Sequence, residues 1–268
     1  MSETTLRIAL VQMAVADGAP ERNVARAESL VGDAGPADLY LLPELWTTGY
    51  AHGTWRDVAR RHTPAAVAAM QRLADARNAW VGGSVITETA SGALANRLWL
   101  AQPDGRAPVC YDKAHLFAAM DEPKHLTGGA QRVRACIGDG ARAIDSALSI
   151  CFDLRFPEQY RRDAVDGAQL FVVSSEWPHP RGEALRLFAR ARAAENQAYL
   201  ALCNRVGPAA DGAVFCGGSC LVAPNGEVLV DAGDSDETVV VGEVDRAVVD
   251  RYRAEFPVVP LRVEGVDY

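Results

Sequence analysis

The sequence predicts a single α/β domain built on mixed sheet, and three observations carry that prediction. Short apolar runs recur along all 268 residues, and most are too short for helices. Several are continuously apolar rather than alternating, the pattern of strands covered on both faces. Helical patterns lie between some of them, and no repeat, low-complexity tract or Pro/Gly/Ser linker divides the chain, so one domain is expected over residues 1–268.

In chain order, the strand-like runs are LRIALVQ at 6–12, DLYLLPE at 38–44, AWVGGSVIT at 79–87, RLWLAQ at 97–102, ALSICFD at 147–153, QLFVVSS at 169–175 and YLALCNRV at 199–206. The helical patterns run from Pro20 to Val31, with Val24, Ala27 and Val31 on one face, then Thr63 to Arg77, Pro157 to Asp166 and Gly182 to Ala198. Pro64 and Pro157 stand where a helix would begin; proline fits a first turn because that N–H lacks an internal partner anyway. Near the C-terminus SCLVAPNGEVLVDAG reads as a hairpin turning at Pro224-Asn225-Gly226, and TVVVGEVD at 238–245 adds a strand.

Hydrophobic residues make up 49% of the chain and charged residues 23%, enough to bury a substantial core. The net charge of −8 argues against nucleic-acid and anionic-membrane partners, which need clustered Lys and Arg; a small-molecule partner fits better. The N-terminus lacks a basic segment followed by a long apolar one, and no later run is long enough to span a bilayer, so a cytoplasmic protein is expected. Six cysteines in a chain of this size suggest reduced thiols rather than a disulfide framework. Cys216 and Cys220 invite a zinc reading, but no matching Cys or His pair follows them, so no metal site is assigned.

Three segments place a reactive group where an apolar run ends: LLPELWTTGY (41–50), YDKAHLFAAMDE (111–122) and SICFDLRFPE (149–158). Partial desolvation of Glu44, after the run Leu39 to Leu42, would raise its pKa toward the range of a general base. Lys113 could hold a thiolate or an oxyanion as a fixed ammonium, although a lysine taken alone is usually a surface residue. Cys151 ends the run ALSI and precedes a helix start at Pro157; a strand-turn-helix elbow would expose its thiol and aim backbone N–H groups at an oxyanion. His115 reads either as a base or as a histidine satisfied by hydrogen bonds, and is left out of the catalytic set. The other five cysteines are read as buried or incidental.

Together the segments resemble the nitrilase superfamily of carbon-nitrogen hydrolases, marked by a PE motif, a Y-x-K-x-H-L-F motif and a C-x-D-x-R-F-P-E motif. Here these are Pro43-Glu44, Tyr111 to Phe117 and Cys151 to Glu158, with 69 residues from Glu to Lys and 38 from Lys to Cys. The likeness continues through RARAAENQAYLALCNRVG (190–207) to the PNGEVL hairpin. The resemblance implies a four-layer αββα sandwich, a homodimer paired through helices, and chemistry without a cofactor. It assigns the nucleophile to Cys151, proton management to Glu44, and the oxyanion to Lys113 and the Phe152 backbone N–H. Glu122 matches a second active-site glutamate that orients Lys113 and the substrate amide. The family usually has His after that glutamate, where this chain has Pro123, and proline restricts the residue before it.

ELWTTGY, KAHLFAAMDE and SSEWPHPR resemble most the ω-amidase group, which hydrolyses 2-oxoglutaramate. Alternatives on the same site are an N-carbamoyl amino acid or deaminated glutathione as substrate; a silent binding protein is the non-enzyme alternative. A small amide carrying a carboxylate needs a cationic wall. Arg155 and Arg181 are the candidates, against the alternative that they pair with Glu158 and Glu183. Trp46 and Trp177 are the candidate aromatic walls, or else core residues.

Overall fold

The computed structural model describes residues 4–263; the ends of the 1–268 span lie outside the described residues. Two six-stranded mixed sheets stack face to face. The first has the order β14-β1-β2-β3-β4-β5, made of Thr238–Asp245, Thr5–Gln12, Leu39–Leu41, Trp80–Glu88, Leu94–Ala101 and Val109–Asp112. The second has the order β13-β12-β9-β8-β7-β6, made of Val228–Asp231, Cys220–Val222, Tyr199–Asn204, Leu170–Ser175, Ile144–Ile150 and Arg134–Ile137. A two-stranded ribbon, β10 (Val206–Pro208) and β11 (Val214–Cys216), stands apart from both. The centre of each sheet is parallel, β1-β2-β3 in one and β7-β8-β9 in the other, and these strands are almost wholly buried. That burial is why their sequences are continuous apolar runs.

Helices cover the outer faces. On the first sheet lie α1 (Pro20–Asp33) and α3 (Thr63–Arg77); α2 (Trp55–Asp57) joins α3 through a π-helical stretch at Val58–His62. On the second lie α5 (Pro157–Val165) and α6 (Gly182–Asn196), while α4 (Glu122–His125) is a single turn beside the site and α7 (Arg246–Glu255) follows β14. The expected αββα sandwich is therefore the observed architecture. Between the sheets β1 meets β9, β3 meets β8 and β4 meets β7, around a core that includes Leu10, Leu41, Leu98, Leu148 and Val172. Among the described residues no helix is long and apolar enough to cross a membrane.

Several expectations shift in detail. In α1 Val24 packs half-buried against the cluster holding Ala27 and Val31, as expected, and Asn23 is buried beside them because its amide bonds Ala16 and the Thr47 carbonyl. The run 38–44 yields only three residues of strand; Pro43 and a left-handed Leu45 (φ 43°) take the chain off the sheet so that Glu44 leaves the ladder. The run 147–153 likewise ends at Ile150, where Cys151 opens a short 3₁₀ turn. The hairpin forms as expected, with Gly226 at φ 85° supplying the conformation that an L side chain resists.

Candidate active site

Four segments that leave strand ends converge between the two sheets: Glu44 after β2, Lys113 after β5, Cys151 after β7 and Glu176 after β8. The turn bearing Glu44 is fastened to β3, since Ser84 Oγ accepts the Leu45 N–H at 2.9 Å and the Ser84 carbonyl accepts that of Trp46 at 3.2 Å. Gly83 permits this approach, because a Cβ there would lie 2.8 Å from Leu42 Cβ and 2.9 Å from the Trp46 ring. Cys151 has φ 45°, an unfavourable conformation for a side-chain-bearing residue, and Asp153 stabilises the elbow. The Asp153 carboxylate accepts the backbone N–H groups of Ile150 (3.0 Å) and His115 (2.9 Å) and the Tyr111 hydroxyl (2.7 Å).

Within the site Lys113 Nζ donates to Glu44 Oε1 at 2.8 Å and to Glu122 Oε1 at 2.7 Å, all three side chains being buried. Glu44 Oε1 also accepts from Asn96 Nδ2 at 2.7 Å, and Oε2 accepts the Glu176 N–H at 2.9 Å. Glu122 accepts the Tyr50 hydroxyl at 2.9 Å and the Phe117 N–H at 2.6 Å. Pro123 does not displace Glu122: α4 begins at Glu122, so the proline sits in the first turn, where its missing N–H costs nothing. His115 is a structural group, stacked on Phe156 at 3.6 Å with Nδ1 2.8 Å from Asp153.

Burial sets the protonation states. It pushes Glu44 above the usual carboxylate range, and the nearby Glu122 adds to this while the Lys113 ammonium opposes it. Burial alone would neutralise Lys113, but the carboxylates of Glu122 and Glu44 outweigh it and hold the ammonium charged. The Cys151 thiol is pushed well up by burial and by Glu44. A neutral thiol thus sits beside a carboxylate whose proton affinity is elevated and an ammonium that stays charged.

The cleft over the thiol is lined by Phe117, Phe152, Arg155, Trp177, Pro178 and Arg181. Arg155 lies over the Trp177 and Phe188 rings, each at 5.0 Å, and Arg181 over Phe117 at 5.4 Å. Neither pairs with Glu158 or Glu183, and neither has a carboxylate partner among the described residues, so both are half-buried cations without a counter-charge. Trp177 Nε1 donates to the Arg181 carbonyl at 2.8 Å. Trp46 requires a correction: it is 1% exposed in the core with Val11, Leu42 and Val85, because the left-handed Leu45 turns it onto β3 and away from the cleft. A larger hollow of about 660 Å³ lies elsewhere, between α5 and residues 258–262, with no nucleophile in its walls.

Tyr50, Asn96 and Glu176 were not among the sequence candidates. Tyr50 and Glu176 do sit in quoted segments, ELWTTGY and SSEWPHPR, and Asn96 is a polar residue inside an apolar strand, a signal that was available. Cys216 Sγ donates to the Trp177 carbonyl at 3.0 Å and Cys220 is buried in β12; among the described residues no cluster of metal-ligating side chains occurs.

The carbon-nitrogen hydrolase family model matches residues 7–254. The 2-oxoglutaramate amidase of Bacillus subtilis (strain 168) is 32% identical, covering 94% of this chain and 95% of that protein. The 2-oxoglutaramate amidase of Paenarthrobacter nicotinovorans is 35% identical over 89% and 82%. XC1258 from Xanthomonas campestris, a CN-hydrolase superfamily protein, superposes with a TM-score of 0.89 at 30% identity over 98% and 99% of the two chains. With this match over nearly its whole length, the chain belongs to the carbon-nitrogen hydrolase family, as an amidase-type enzyme of the nitrilase superfamily.

Proposed function

We propose that the chain is a cysteine-dependent ω-amidase that hydrolyses a small, carboxylate-bearing amide such as 2-oxoglutaramate to acid and ammonia through a thioester. The observation that carries this reading is the buried Glu44–Lys113–Glu122 cluster beneath a neutral Cys151 thiol, with two uncompensated arginines at the mouth of the same cleft. The names of the two amidase relatives support the choice of substrate.

In this reading Cys151 Sγ attacks the amide carbonyl carbon while its proton passes to Glu44. The oxyanion is held by Lys113 and by the Phe152 N–H, a first-turn donor without an acceptor inside its own turn. Collapse of the tetrahedral intermediate breaks the C–N bond, and the proton on Glu44 goes to the leaving nitrogen, which departs as ammonia. Glu44 then takes a proton from water as the water attacks the thioester, giving the carboxylic acid and restoring the thiol. Glu122 and Tyr50 hold Lys113 and Glu44 in register. Arg155 or Arg181 binds the distal carboxylate, and Trp177 walls the chain between. No cofactor or metal enters these steps.

The same reading takes the protein as one hydrolase domain over residues 1–268, cytoplasmic, and paired into a homodimer through α5 and α6. Exposed apolar side chains at Val165 on α5, Leu187 on α6 and Leu261 in the C-terminal turn Val259–Leu261 beside α5 support that pairing.

The test is ammonia release from 2-oxoglutaramate, 2-oxosuccinamate, an N-carbamoyl amino acid and a simple aliphatic amide, with wild type and Cys151→Ala side by side. Turnover of the oxo-amides is expected to vanish in the variant. Activity that survives the substitution would sink the mechanism, and preference for the N-carbamoyl substrate would replace the proposed one.

A further inference from the structure

A second buried charge pair lies directly behind the site, and the steps above do not use it. Arg205 and Glu176 are each fully buried, with Arg205 Nη1 3.0 Å from Glu176 Oε1. The guanidinium is held from several sides: Nη1 also reaches Asp17 Oδ1 at 3.1 Å, Nη2 donates to the Val15 carbonyl at 2.7 Å and the Pro208 carbonyl at 3.3 Å, and the group lies over the Phe215 ring at 4.1 Å. The fit extends under the turn that carries Glu44, since a Cβ on Gly49 would lie 2.8 Å from Arg205 Nη1. Glu176 Oε2 and Arg205 Nε have no partner. A buried ion pair with such loose ends is poor at stabilising a fold, because desolvation offsets its attraction and an apolar pair would do as well.

The backbone of the same residue shows what the pair can do instead. The Glu176 N–H is the donor to Glu44 Oε2, at 2.9 Å, and the Ser175 carbonyl accepts the Glu44 N–H at 3.3 Å, so the peptide between residues 175 and 176 grips Glu44 twice. Next along, the Trp177 N–H donates to Asn204 Oδ1 at 2.7 Å, immediately before Arg205. We propose that Arg205 and Glu176 are positioning residues for the proton-managing carboxylate: the clamped guanidinium fixes the Glu176 side chain, which fixes the peptide whose N–H sits on Glu44. The proposal rests on the role given to Glu44 above.

A hydrogen bond donated to the charged form of a carboxylate lowers its pKa. Loosening the 175–176 peptide therefore raises that of Glu44 and moves the acid limb of the rate profile to higher pH. The other groups facing Glu44 are Lys113, Glu122, Tyr50, Asn96, the Cys151 thiol and the Glu176 carboxylate, which burial pushes up and Arg205 pulls down. Replacing Arg205 by another cation keeps a positive charge opposite Glu176, so the change made is one of geometry.

The experiment measures kcat and KM for ammonia release against pH with the full-length wild type, Arg205→Lys and Glu176→Gln. Arg205→Lys keeps the charge but cannot reach all four oxygen acceptors. It is expected to lower kcat about tenfold with KM within about twofold, and to shift the acid limb upward by about half a unit. Glu176→Gln keeps an oxygen for Arg205 and is expected to hold kcat within about threefold of wild type. A folded Arg205→Lys with wild-type kcat and an unmoved acid limb would overturn the proposal, as would an effect confined to KM. If that variant does not fold by circular dichroism, Asp17→Asn, which frees the guanidinium from the loop side, is judged by the same criteria. Failure here leaves Cys151→Ala inactive, whereas failure of the underlying mechanism shows as activity persisting in Cys151→Ala.

Discussion

The two halves of the cleft are built on opposite rules. At its floor Lys113 meets two carboxylates within 2.8 Å, and a tyrosine, an asparagine and two backbone N–H groups fill the remaining positions on Glu44 and Glu122. At its mouth Arg155 and Arg181 touch aromatic rings and no carboxylate. A densely hydrogen-bonded network, here with only the Asn96 Oδ1 lacking a partner, is rigid and suits chemistry that needs fixed geometry. An uncompensated cation against aromatic walls is held in place yet free to take up an anion. On the proposed function the floor would define the reaction and the mouth would select the substrate, so substitutions in the two halves should differ in kind as well as in size.

The largest effect is expected from Lys113→Met. Removing one partner of a buried ionic cluster costs about 3–5 kcal/mol, because Glu44 and Glu122 are left buried without their counter-charge. Activity should be lost and urea denaturation at neutral pH should shift to lower midpoints. Without the ammonium Glu44, already pushed up by burial, is raised further in the folded state and favours its protonated form, so the lost stability should partly return as pH falls and disappear again as it rises. A variant as stable as wild type at neutral pH would break the comparison, since the floor would then not be a coupled charge cluster.

A middle-sized effect is expected at the mouth. Replacing Arg155 or Arg181 by alanine removes a charge-assisted contact of about 1.5–3 kcal/mol, so KM for a carboxylate-bearing amide should rise roughly tenfold to a hundredfold while kcat changes little. An uncharged aliphatic amide should be nearly indifferent to either change. The arginine with the larger KM effect is the one that meets the carboxylate. Equal loss on both substrates would mean that the mouth positions the catalytic groups after all.

The same division decides what could be read from the sequence. Glu44, Lys113 and Cys151 could be singled out because their three short motifs, each weak alone, occur together in the order of a known family, and the structure brings the three side chains to neighbouring strand ends. Their supports were not, because contacts such as Glu44 to Asn96, 52 residues apart, and Glu176 to Arg205 depend on strand order, which no local pattern encodes. Arg205 was visible as an arginine at the end of YLALCNRV, yet nothing local says that a distant loop residue, Asp17, would meet it. Among the elements, β5 and β6 escaped notice because four-residue, partly exposed strands carry too short an alternation, and α7, RAVVDRYRAE, because a single buried residue marks its inner face. Trp46 misled for a related reason. Two positions from Glu44 in sequence, it is sent to the other side of the turn by the backbone conformation of Leu45.

Trp46 also provides the smallest and most discriminating test. Its indole N–H is buried without an acceptor, so Trp46→Phe removes an orphaned donor while giving up part of the ring's packing against Leu42 and Gly83. The two terms oppose each other, and the net change in stability should stay within about 1–2 kcal/mol. KM and kcat should both remain near wild type, because nothing of Trp46 faces the cleft. Trp177→Phe is the matched contrast: it loses the 2.8 Å bond to the Arg181 carbonyl and part of the surface beneath Arg155, both in the cleft wall. Its KM should rise several-fold, and because Trp177 is also buried in the core and loses a hydrogen bond, stability should fall by about 1–2 kcal/mol as well. If Trp46→Phe raised KM and Trp177→Phe did not, the two tryptophans would exchange roles, and the mouth of the cleft would have to be redrawn on the β3 side.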